Sequence, residues 1–170
     1  MKSFCKWIII SLPVFFSMQL LSQHLTMEEM ISMRKLPITQ IDSILKSKDF
    51  TKTKEETDSA ATLIKYTSLT RTDTSLIQRT FTIEQKNSNF TELQYGVYQK
   101  EDAQILIDWL EKNGFKKTKT SMPANDGDII FEYTAFQKKN QSVEFKEKEF
   151  DSADKKEKLF IFTVNTFDYP

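Results

Sequence analysis

Cys5 and His24 are the single cysteine and the single histidine of this 170-residue chain. Nucleophilic catalysis by Ser or Cys needs an imidazole, or an equivalent base, within hydrogen-bond reach. Cys5 precedes an apolar run at the N-terminus, and His24 follows it. His24 is therefore expected to be a mobile terminal residue rather than a catalytic base. One cysteine forms neither an internal disulfide nor a zinc cluster, and one histidine does not build a multi-histidine metal site. Three glycines leave no room for a phosphate-cradling loop.

Carboxylates remain, because two held at the right separation can hydrolyse a glycoside. The acidic residues mostly alternate with lysine, as in Glu144-Phe145-Lys146-Glu147-Lys148-Glu149. That pattern reads as a solvated edge strand whose charges discourage pairing with another chain. Asn125-Asp126-Gly127-Asp128 resembles part of a calcium loop but lacks its later Glu and its alternating ligands. It reads as a tight turn into a strand. Lys112, Lys116, Lys117 and Lys119 suit the negative end of a helix dipole without any anionic ligand. The residue inventory thus points to no catalytic residue, no cofactor and no metal. The 24 basic and 24 acidic residues cancel, which leaves no basic field for nucleic acid.

The N-terminus reads as an export address. Lys2 and Lys6 precede an apolar stretch from Trp7 to Leu21, and Ser22-Gln23 opens a polar chain. This is the order of a secretory signal peptide over residues 1–22. The stretch falls short of the roughly 20 residues of a membrane-spanning helix, so no stable span is expected after cleavage. Its ending, a small residue followed by Gln, resembles that of proteins exported by Bacteroidota-type bacteria, which implies a periplasmic or extracellular protein. Cleavage there removes Cys5, Lys2 and Lys6, leaving 22 basic and 24 acidic residues, a net charge of −2. The remainder, residues 23–170, is long enough to fold as one domain on its own core.

Thr26 followed by Glu29 is a capping box, so a short helix is expected over 27–35. A second fits 39–47, with Ile41, Ile44 and Leu45 on one stripe. A third fits 101–113, with Ile105, Leu106, Trp109 and Leu110 inward and Gly114 as its left-handed C-cap. Strands are expected over 62–70, 76–84, 91–98, 128–137, 141–148 and 158–165, from period-two alternation rich in β-branched and aromatic residues. The two halves repeat: Phe50-Thr51-Lys52-Thr53-Lys54 matches Phe115-Lys116-Lys117-Thr118-Lys119 at an offset of 65. Ile64-Lys65-Tyr66-Thr67 matches Phe131-Glu132-Tyr133-Thr134 at an offset of 67. Two tandem α-β-β-β units, about 39–98 and 101–167, predict an α+β fold: an antiparallel sheet of about six strands with helices packed on one face.

That layout resembles the class of small secreted folds typified by the β-lactamase inhibitor protein. The resemblance rests on the repeated F-x-K-T-K and Y-T segments over most of the chain. It implies a protein-binding role and assigns no functional residues.

Leu159-Phe160-Ile161-Phe162 and Ile129-Ile130-Phe131 are apolar at every position, as in strands covered on both faces. If Ile64, Tyr66, Phe131, Tyr133, Phe160 and Phe162 face the helices, then Leu63, Leu69, Ile130, Phe136, Leu159 and Ile161 line the other face. Cover for that second face comes either from the Met-rich first helix or from a partner. The sequence therefore points to a non-enzymatic exported binding protein with a protein partner. A carrier of an apolar small molecule held between helices and sheet is the alternative, and a carboxylate-dependent hydrolase the second.

Overall fold

The computed structural model describes residues 24–72, 76–86, 90–123, 130–152 and 155–165. Among these residues three helices, α1 (Met27–Met33), α2 (Ile38–Ser47) and α3 (Lys100–Lys112), accompany eight strands. The strands are β1 (Thr51–Thr57), β2 (Ala61–Arg71), β3 (Leu76–Lys86), β4 (Phe90–Val97), β5 (Lys116–Pro123), β6 (Ile130–Lys138), β7 (Gln141–Ser152) and β8 (Lys155–Asn165). They form one sheet in the order β1-β2-β3-β4-β8-β7-β6-β5, antiparallel throughout.

This corrects the expected six-stranded sheet with helices packed on one face. The F-x-K-T-K segments are themselves strands, β1 and β5, at the two edges. β1 carries no apolar alternation because no core lies against it: it is exposed at all seven positions. Three short helices cannot layer a sheet this wide. Each half is one helix followed by four strands, not three.

Local chemistry explains the helix ends. Thr26 Oγ1 accepts from the Glu29 amide at 3.2 Å while the Glu29 carboxylate accepts from the Thr26 amide at 2.8 Å, closing the capping box of α1. At the end of α3, Gly114 has φ +80° and the Phe115 amide donates to Leu110 O at 3.0 Å. At the end of α2, Asp49 has φ +61° and the Phe50 amide donates to Leu45 O, also at 3.0 Å. The same left-handed stop, 65 residues apart, turns each helix into its edge strand and buries Phe50 and Phe115.

The core is built from rows across the sheet. Ile64, Ile83, Leu93, Val164, Val143 and Phe136 are successive register partners, and every one is buried. The adjacent row runs Tyr66, Phe81, Tyr95, Phe162 and Phe145. Met27, Met30, Met33, Ile41, Leu45, Ala103, Leu106 and Leu110 of the helices join the same core. Ile105 is 65% exposed, so α3 buries Ala103 where Ile105 was expected. No helix among the described residues is long and apolar enough to cross a membrane.

Candidate functional site

The six residues expected on the second face do not all share it. Phe136 is fully buried, pairs with Val143 in the core row, and has Lys117 Nζ 5.8 Å from its ring. Tyr133, expected in the core, lies on the other side of β6, half-buried with Lys146 Nζ 5.4 Å from its ring. The repeat explains the error. An odd offset of 67 carries the inward parity of Ile64 and Tyr66 onto Phe131 and Tyr133, whereas the β6–β7 pairing turns the even-numbered residues inward. A one-residue slip exchanges the faces of a strand. The side chains of Ile130 and Phe131 lie outside the described residues, as does the Asn125–Asp128 cluster.

Leu63, Leu69, Leu159 and Ile161 do lie opposite the core, by register with Glu84, Gln78, Lys148 and Lys146. Most of this open face is polar: Lys65, Thr82, Gln94, Thr163 and Glu144 form one continuous row. Apolar groups gather at one end. Leu69 is 59% exposed and Leu76 is 64% exposed, and the register sets them diagonally across β2 and β3. Tyr98, just past β4, meets Phe150 edge-to-face at 5.9 Å, and Leu159 lies on the same side. Burial, and secondarily the charge of Glu157, raises the Tyr98 phenol above its usual range. Gly96 makes this end compact, since a Cβ there would sit 2.5 Å from Thr80 Oγ1 and 3.1 Å from Leu159 Cδ1. The Met side chains of α1 belong to the core, so α1 is not the cover the sequence suggested for this face.

The Glu144–Glu149 run is an edge only over its second part, Lys146–Glu149. It lies on β7, between β8 and β6, but pairing with β6 stops at Phe145. Beyond it Glu147 and Glu149 both pair with Lys158 of β8.

Sequence reasoning missed a polar cluster on the core side. Arg79 of β3 is 1% exposed. Its Nη2 donates to Asp102 Oδ2 at 3.0 Å and to His24 Nε2 at 2.8 Å, and its Nη1 donates to Thr70 Oγ1 at 3.3 Å. Asp102 sits in the first turn of α3, where a negative charge is favoured. His24 Nδ1 lies 3.7 Å from Asp102 Oδ2, and Lys48 Nζ donates to His24 O at 3.0 Å and pairs with Glu29 at 2.7 Å. His24 is thus held in place, contrary to the mobile terminus expected. Burial and then the Arg79 guanidinium keep its imidazole below the ordinary 6.5, against the opposing pull of Asp102. Burial raises the Tyr95 phenol beside this cluster far above its usual range. Arg79 itself was the available signal: an arginine between Ile77 and Phe81 on an inward parity needs a buried counter-ion.

Chemically, the cluster is a buried donor fork with three acceptors, Asp102, His24 and Thr70, and an Nε–H that meets no partner among the described residues. No three His, Cys, Asp or Glu residues converge to hold a metal among the described residues. Comparison with protein-family models, curated proteins and solved structures finds no match for the chain.

Proposed function

We propose that this protein is a non-enzymatic exported binding protein that presents the apolar end of its open sheet face to a protein partner. The observation that carries the reading is the exposure of Leu69 and Leu76, diagonal neighbours across β2 and β3, with Tyr98, Leu159 and Phe150 farther across the same face, whose middle row is charged and polar. Isolated exposed leucines are ordinary, but a grouped apolar patch with aromatic members and a polar rim is the composition of an interaction site. Export is supported by the order of Lys2, Lys6, the apolar run and Ser22 in the sequence.

The test is a pair of charge insertions, Leu69→Glu and Leu76→Glu, made together. Both side chains are already in water, so the fold should keep its thermal midpoint. Capture of a defined protein from the native exported fraction should be lost, and the affinity of that isolated partner should fall at least tenfold in calorimetry. Unchanged affinity in the folded double variant refutes the assignment of this face. An N-terminal sequence that still begins at Met1 in the mature protein would refute export by a cleaved leader.

A further inference from the structure

Arginine donates hydrogen bonds and never accepts them. The 2.8 Å contact between Arg79 Nη2 and His24 Nε2 therefore requires Nε2 to be the acceptor. That fixes His24 as the neutral tautomer protonated at Nδ1, the nitrogen that faces Asp102 Oδ2 at 3.7 Å. A proton on Nε2 would set two donors against each other and place a second cation beside a buried guanidinium.

We propose that His24 is the pH-sensing element of an N-terminal latch, whose neutral imidazole locks residues 24–26 onto Arg79 and Asp102 and whose protonation releases them. The groups facing it are Arg79 from β3, Asp102 from α3 and Lys48 from the end of α2, with Glu29 of α1 behind Lys48 and Tyr95 of β4 beside Arg79 and Asp102. Two cations and burial oppose a charged imidazole, and one adjacent carboxylate favours it. Glu29 is occupied by Lys48 and by the Thr26 amide, which hold its own carboxyl below the usual range despite partial burial.

The direction of the switch follows from linkage. Docked His24 binds its proton more weakly than a free imidazole at 6.5, so the released state takes up more protons between the docked midpoint and 6.5. The latch is at full strength above 6.5 and weakens as pH falls through that window, the opening equilibrium rising about tenfold per pH unit. Release lifts Leu25, which is 1% exposed, out of the core and uncovers the Arg79–Asp102 pair.

Because His24 is the single histidine, its ring signals in NMR report the switch without ambiguity. The proposal expects the Nδ1–H tautomer at neutral pH and a titration midpoint below 6.5. It also expects backbone order at Leu25 to fall as that midpoint is crossed. In His24→Gln, whose side-chain carbonyl can still accept from Arg79, Leu25 should stay ordered from pH 7 to pH 5. A midpoint at or above 6.5, the Nε2–H tautomer, unchanged order at Leu25 through the titration, or the same acid response in His24→Gln would each overturn it. Should His24→Gln fail to fold, the tautomer, midpoint and Leu25 order of the unaltered protein decide the matter alone.

Discussion

Asp102→Ala strands a buried cation. Arg79 is 1% exposed, and among the described residues its one carboxylate partner is Asp102 at 3.0 Å, with neutral contacts to His24 and Thr70. Removing one partner of a buried pair costs about 3–5 kcal/mol, because the other charge stays desolvated. Loss of an acid from the first turn of α3 adds about 0.3–1 kcal/mol, offset by an alanine helix propensity better by up to about 0.7 kcal/mol. The expected loss is therefore about 3–5 kcal/mol, a fall of roughly 6–20 °C in the thermal midpoint at about 2–4 °C per kcal/mol for this chain length. Urea unfolding followed by circular dichroism at pH 7.5 measures it. Arg79→Met in the same background should recover most of the loss, since an unbranched apolar side chain then fills the site with no charge to compensate. A single-variant loss below about 1 kcal/mol, or an Arg79→Met change that adds to the damage, would show that the pair is solvated and the reasoning wrong.

Phe136→Ala should cost about 3–5 kcal/mol and Tyr133→Ala about 1 kcal/mol in the same unfolding assay; the reverse order would restore the odd-offset register. Gly96→Ala should destabilise by about 1–3 kcal/mol from overpacking against Thr80 and Leu159, and Thr80→Ala should relieve it, as differential scanning calorimetry would show. The Tyr66 phenol is pushed up to about 12 by burial and by the Asp42 carboxylate. The unfolded phenol ionises near 10, so stability contributed by Tyr66 is complete below pH 10 and is lost as pH rises from 10 to 12. Spectrophotometric titration should show this tyrosine ionising late, and a Tyr66→Phe variant should lose that component of the alkaline transition.

The helices were legible because each carries its own stop signals. Thr26 with Glu29, Pro37, and Gly114 before Phe115 are local devices that act through backbone hydrogen bonds a few residues away. The six inner strands were legible from alternation, because one side of each faces the core. The edge strands β1 and β5 were not, since Thr51–Thr57 is polar on both sides and is a strand only because β2 offers it backbone partners. The candidate face was half legible. Leu69, Leu159 and Ile161 were placed correctly by parity within their own strands, while Phe136 was misplaced by borrowing the parity of another strand. Leu76, Tyr98 and Phe150 were missed because they come from separate parts of the chain that share one face only in the folded sheet.

By itself the sequence determined the supply of one cysteine and one histidine, the balance of charge, the repeated helix-then-strand order and the inward residues of most strands. Those follow from composition and from periods of two and 3.6 residues, which are properties of neighbouring residues. Only the tertiary structure decided the width of the sheet, the face to which β6 turns Phe136, and the union of His24, Arg79 and Asp102 across 78 residues of chain. Each of these depends on which backbone hydrogen-bonds to which, and pairing between distant strands leaves no periodic mark on the strands themselves.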